Sequence, residues 1–196
     1  VGRKRSKGTK SLADGLALAL VLAAAAAVGV VYFRWEYREQ RFNQQIEAIA
    51  GRLGVDKFLV KAVMRCESGF DPFARSAKGA IGLMQVTEPA GRDWARSVGQ
   101  RDFSADLLWD TRINIEVGTW YLGRALAYWK QAGADDPLPF ALAEYNAGRE
   151  RARMWIPKQG ELRSKEFLAG ITWPGVRRYV EKVTEYHAYY ASQGKL

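Results

Sequence analysis

Residues 15–33, GLALALVLAAAAAVGVVYF, form an unbroken apolar run about as long as a helix must be to cross the hydrocarbon core of a bilayer. A helix apolar on every side has no face to offer to water, so the run predicts a membrane segment. Two other readings compete with it. One is a cleavable signal peptide, whose basic start and Ala-rich end the stretch shares, and the other is an Ala-rich core helix. The retained anchor is preferred because the run is long for a signal sequence and continues through Val28–Phe33 without a small-residue stop.

Charge gives that segment a direction. The chain carries a net charge of +9, and Arg3, Lys4, Arg5, Lys7 and Lys10 all lie in the first ten positions, with Asp14 behind them. The positive-inside rule then predicts a single pass with residues 1–14 as a basic cytoplasmic tail and everything after Arg34 on the far side. In a bacterium this is an inner-membrane protein with a periplasmic domain. Cys66 is too far downstream to be a lipid-attachment site.

The remaining basic excess is modest and dispersed. It suits an anionic wall polymer or a membrane surface and lacks the clustered stripe of a nucleic-acid binder, so no nucleic-acid partner is expected. One cysteine, Cys66, excludes an intramolecular disulfide framework. One histidine, His187, leaves no Cys/His cluster with metal-ligand spacing, so no metal or other cofactor is expected. Cys66 reads as a small buried hydrophobe; a catalytic thiol would need His187 as its partner.

From Trp35 onward helical periodicity dominates. Residues 35–53 are polar with Phe42, Ile46, Ile49 and Leu53 on one narrow stripe. They predict a stalk over 34–45 that joins a domain spanning 46–196. Asp56 caps a helix that Gly69 ends, with Phe58, Leu59, Ala62, Val63 and Cys66 on its apolar face. Thr87 and Pro89 open another, Asp110 caps a long one to about Lys130, PLPFALAEYNAG stops at Gly148, and the last runs from about Val176 to Ser192. Strand signals are weak, with at most a short hairpin near residues 78–86, so the fold class is mainly α.

Within this frame Glu67, in MRCESGF, stands in the last turn of its helix, on or beside the apolar face. Partial burial and the negative end of the helix dipole both disfavour its charged form, which is the environment of a general acid. The competing reading is a solvated carboxylate paired with Arg65 or Arg75.

The segments MRCESGFDPFARSAKGAIGLMQV, RINIEVGTWYL, ALAEYNAG and RRYVEKV resemble, in order and spacing, the lytic transglycosylase domain of the soluble lytic transglycosylase family. The resemblance covers about residues 46–190 and implies a lysozyme-like helical domain with a cleft. It also implies that Glu67 is the catalytic acid and base and that Ser68 helps to orient substrate. Met84 and Gln85 of the Gly-Leu-Met-Gln motif would bind sugar, Tyr145 and Asn146 would face the cleft, and Tyr179 would lie close to Glu67. Against these stand plainer readings: Leu83 and Met84 in the core of a tight turn, and Tyr179 packed with Val183 and Tyr186. The sequence departs from the family twice. Gly175, Val176 and Arg177, after Trp173-Pro174, replace the usual Glu-Thr-Arg, and Glu144 stands where a small residue is common.

Ordinary glycosidases use two carboxylates, and here only Glu67 is marked. Asp71 is the next candidate, but Asp-Pro after a helix end reads better as a turn. The resemblance implies a substrate that supplies its own nucleophile: peptidoglycan, cut between N-acetylmuramic acid and N-acetylglucosamine to leave a 1,6-anhydro sugar without water. A hydrolytic muramidase and a non-catalytic wall-binding module are the alternatives. The resemblance implies peptidoglycan glycan strands as the partner, and an envelope secretion or conjugation complex is a further candidate. Trp155 and Trp173 flank IPKQGELRSKEFLAGIT, expected as a cleft-side loop or lid, and one of them is expected to stack on a sugar.

Overall fold

The computed structural model describes residues 8–157, 160–194 and 196, in two units. The expected basic tail lies largely outside the described residues. The first unit is one helix, α1 (Gly8–Gln40). Its apolar side chains, Leu16, Leu20, Val28 and Val31 among them, are exposed, which disfavours a core helix. Among the described residues it contains the one stretch long and apolar enough to cross a membrane by length and composition.

The helix does not run on to Leu53 as its periodicity suggested. It breaks at Arg41 and Phe42, and α2 (Asn43–Leu53) begins anew. Phe42 is already buried, with Ile46, Ile49 and Ala50 behind it, so the second compact unit starts at Arg41, ahead of Ile46.

That unit, Arg41–Leu196, is built from α2, α3 (Lys57–Ser68), α4 (Glu88–Val98), a 3-10 turn (Ala105–Trp109), α5 (Thr111–Gln131), α6 (Pro137–Ala147), α7 (Arg149–Met154), α8 (Ser164–Gly170) and α9 (Pro174–Gln193). No strand occurs among the described residues, and the expected hairpin reduces to isolated bridges of Ile81 with Arg75 and Val86. Local chemistry sets the ends. The Asp56 carboxylate accepts the Phe58 N–H at 2.8 Å, Asp110 caps Ile113 at 2.9 Å and Asp136 caps Leu138 at 3.0 Å; such caps satisfy donors that have no partner inside the helix.

The apolar faces then meet. α3 packs on α9, and α6 lies between α5 and α9. Trp129, Phe140 and Phe167 stack in series, with centroids 5.2 and 4.1 Å apart, and join α5, α6 and α8. The segment expected as a cleft-side loop or lid contains the short helix α8, anchored by Phe167. Each of these buried rings contributes roughly 2–3 kcal/mol through the apolar area it removes from water. The result is a frame that fixes the C-terminal end of α3 against the loop 80–86 and the ends of α6 and α9.

Candidate active site

Glu67 is the penultimate residue of α3, and Gly69 closes that helix in a left-handed conformation (φ 57°) while donating its N–H to the Arg65 carbonyl. Protein surrounds most of the carboxyl, although the residue keeps an opening to solvent. Burial pushes its pKa up to about 7, and the Tyr179 hydroxyl opposes this only in part. That hydroxyl comes close enough to feel the carboxyl but satisfies no hydrogen bond of ordinary geometry. No cation pairs with Glu67 among the described residues. Arg65, one candidate partner, turns to α9, where it donates to the Tyr190 hydroxyl at 3.0 Å and lies 4.1 Å from the Tyr186 ring centroid. A carboxyl that is enclosed, unpaired and poised near neutrality can give and take a proton at neutral pH.

Ser68 makes its bonds within the fold. Its hydroxyl donates to the Leu83 carbonyl at 2.7 Å and approaches that of Met64 at 3.3 Å, tying the helix end to the loop 80–86. The side chain of Met84 points inward. It is fully buried, and its Sδ lies 3.8 Å from Thr119 Oγ1. Its backbone is held as well, the N–H donating to Asn114 Oδ1 at 2.8 Å and the carbonyl accepting from Tyr145 Oη at 2.8 Å. The plainer reading of GAIGLMQ is thus the correct one for Leu83 and Met84.

Gln85 has φ 46°, a left-handed conformation uncommon for a residue with a Cβ. Its Nε2 donates to the carbonyls of Ala74 and Gly82, which fixes the turn. With Val86, Thr87, Tyr121, Tyr145 and Asn146 it lines a recess of about 250 Å³. Glu67 is not part of that lining; Tyr145 belongs to both neighbourhoods, since the Glu67 charge is among the causes, after burial, that hold the Tyr145 hydroxyl far above its usual pKa. Asn146 is exposed at the recess. Tyr179 reaches the carboxyl from α9, and Gly175-Val176-Arg177 do not prevent it.

Asn114 escaped sequence reasoning. Nearly fully buried in α5, it donates from Nδ2 to the carbonyls of Ile81 (2.9 Å) and Leu108 (2.8 Å) while accepting the Met84 N–H. One side chain thereby holds both ends of the loop. Gly82 (φ 75°) makes this possible, for a Cβ there would stand 2.5 Å from that amide nitrogen. The one signal available was an amide between Ile113 and Ile115 in RINIEVG.

Glu144 is buried too, but paired. Its Oε2 accepts from the Trp129 indole nitrogen at 2.8 Å and its Oε1 from Arg149 Nε and Nη2 at 3.0 and 2.8 Å. Cys66 is half-buried, and burial pushes its thiol up to about 11, which disfavours the thiolate at neutral pH. His187 bonds Asp56 at 2.8 Å, at the other end of α3 and about 15 Å away along the axis.

Comparison with known proteins shows the family and the fold. The transglycosylase SLT domain family matches residues 44–168. The soluble lytic murein transglycosylase of Escherichia coli K12 is 30% identical over 162 residues, 80% of this chain and 24% of that protein. Membrane-bound lytic murein transglycosylase C of Klebsiella pneumoniae is 36% identical over 116 residues, 57% of this chain and 32% of that protein. Among solved structures, an inactive mutant of the lytic transglycosylase Slt of Pseudomonas aeruginosa superposes with a TM-score of 0.70 at 27% identity, covering 78% of this chain and 24% of the other. The 70 kDa soluble lytic transglycosylase of E. coli gives 0.67 at 28%, covering 81% and 26%. The chain spans a quarter to a third of the length of these curated relatives. With the family match extending over more than half of its residues, the chain belongs to the transglycosylase SLT domain family.

Proposed function

We propose that the domain is a peptidoglycan lytic transglycosylase with Glu67 as its single acid and base. The observation that carries this is an enclosed carboxyl with a pKa of about 7 and no cationic partner among the described residues, beside a recess and two tyrosines. The reading is supported by the relatives' names and by the P. aeruginosa neighbour, solved as an inactive glutamate-to-glutamine mutant.

Glu67 protonates the glycosidic oxygen as the bond from the muramyl anomeric carbon to the N-acetylglucosamine O4 breaks, while the 2-acetamido oxygen assists at that carbon. The carboxylate then takes the proton of the 6-hydroxyl, whose oxygen closes on the anomeric carbon. One C–O bond breaks, one forms, and the proton passes from O6 to O4 by way of Glu67. Gln85, Tyr145 and Asn146 hold the strand in the recess, Ser68 fixes the loop, and Tyr179 meets the carboxyl once charge develops on it. Met84 contributes packing. Mass spectrometry of digested sacculi tests this. Anhydromuramyl ends are expected; reducing ends would mean hydrolysis, and no release at all would leave only wall binding.

The placement rests on α1 and on the relative named as membrane-bound. Residues 15–33 span the inner membrane, 1–14 stay in the cytoplasm, and the segment after Arg34 carries the unit Arg41–Leu196 into the periplasm. A tethered wall-cutting domain suits an envelope assembly such as a secretion or conjugation complex. Protease added to spheroplasts should degrade the domain, and protection would reverse the orientation.

A further inference from the structure

Trp173 keeps 45% of its surface in water, yet it is held from several sides. It caps the start of α9, and its edge meets the buried Trp155 ring with centroids 5.8 Å apart at 70°. Trp155 is fixed in turn, because its indole nitrogen donates to Thr172 Oγ1 at 3.1 Å. Arg177 ties the approaching chain to α9 by donating to the carbonyls of Ala169 at 2.8 Å and Ile171 at 2.9 Å. A large apolar ring kept exposed and rigid contributes little to the core and loses little freedom on binding.

Over the ring stands the Arg151 guanidinium, 5.2 Å from the centroid. Its neighbours Arg149 and Arg153 pair with Glu144 and Glu150. Arg151 has no carboxylate among the described residues; it is exposed and donates one N–H to the Ala147 carbonyl at 3.1 Å. The planar cation can lie against an aromatic face and still donate in its own plane. Ala147 ends the helix that carries Tyr145 and Asn146, and Trp173 lies six residues before Tyr179, about 9 Å along α9. The pair therefore joins the ends of the two helices whose tyrosines approach Glu67.

We propose that Trp173 and Arg151 form a further glycan subsite, which takes a carboxylate-bearing sugar unit: the muramyl residue with its lactyl group and peptide stem. The apolar face of the sugar ring packs on the exposed part of Trp173, and Arg151 pairs with a carboxylate of the peptide stem. This rests on the function proposed above.

Binding is measured with full-length Glu67→Gln protein in detergent, so that strands are held and not cut. The probes are peptidoglycan fragments with intact stems and the same fragments with their carboxylates amidated. Trp173→Ala should weaken both about tenfold, the scale of one good contact. Arg151→Gln should weaken only the intact fragments, by a similar factor, and Trp173→Phe should retain most of the affinity, all with unchanged unfolding midpoints. Intact-fragment binding by Trp173→Ala or Arg151→Gln within twofold of the parent overturns the subsite. So does loss of binding to phosphatidylglycerol vesicles with glycan affinity unaltered, which would make this a membrane contact. If the parent holds fragments while the wild type yields no anhydro ends, the catalytic reading falls and the subsite stands. If the parent holds none, both fall.

Discussion

Glu144 sits among partners: the Trp129 indole on one oxygen, the Arg149 guanidinium on the other, and a neighbouring residue, Tyr145, that reaches towards Glu67. Glu67 keeps an opening to solvent and, among the described residues, no cation pairs with it; the hydroxyls of Tyr179 and Tyr145 feel its charge. Burying a carboxylate costs several kcal/mol unless donors and a counter-charge compensate, and a carboxyl without them keeps its proton instead. The first arrangement fixes α5, α6 and α7 to one another. The second leaves a proton to be used, at a cost to stability at alkaline pH.

Replacing each acid should separate the two uses. Glu67→Gln should lower the rate of glycan cleavage by about a hundredfold or more, since the proton is no longer supplied or taken; release of anhydro ends from sacculi measures it. The same variant should be no less stable. Between pH 4.5 and about 7 the folded wild type holds a proton that the unfolded chain has lost, so stability falls as pH rises through that window and the cost is complete above it. It amounts to about 3 kcal/mol. Glu67→Gln should therefore match the wild type near pH 4 and exceed it by up to that amount at pH 8, as read by urea unfolding.

Glu144→Ala should do the reverse. Leaving the Arg149 cation and the Trp129 N–H unpaired should lower stability by about 3 kcal/mol, with a smaller fall in activity than Glu67→Gln gives. Asn114→Ala comes next, at about 2 kcal/mol, because it orphans the Met84 N–H and two carbonyls in a buried loop. It should also lower cleavage at saturating substrate, since Gln85 and the tie through Ser68 depend on that loop. Cys66→Ala should change activity by less than about twofold, and the wild-type thiol should stay slow towards a thiol reagent at pH 7, because its pKa is raised to about 11.

What the sequence made legible divides along the same line. Helix ends at Asp56, Gly69, Asp110 and Gly148 could be read because each is set by residues within a turn of itself. Glu67 could be read as a candidate because its place on the face of α3 is also local. The break at Arg41–Phe42 could not, since the apolar stripe continues across it and the burial of Phe42 decides. Met84 was assigned to the cleft and lies in the core because Gly118 lets α5 close on it; a Cβ there would stand 2.6 Å from Met84 Cβ. Asn114 acts on a loop 30 residues away in sequence, and Glu144 needs Trp129 and Arg149 from two other helices. These are pairings of tertiary structure, which no local pattern encodes.

The most direct test of the contrast is a pH titration of Glu67 in the full-length protein. The carboxyl resonances of carbon-13 labelled glutamate would be followed in wild type, with Glu67→Gln to assign the signal. A midpoint near 7, absent from the variant, is the result predicted for an enclosed acid without a cation. A midpoint in the ordinary range near 4.5 would show a solvated or paired carboxylate and contradict the proposed role of Glu67 as acid and base.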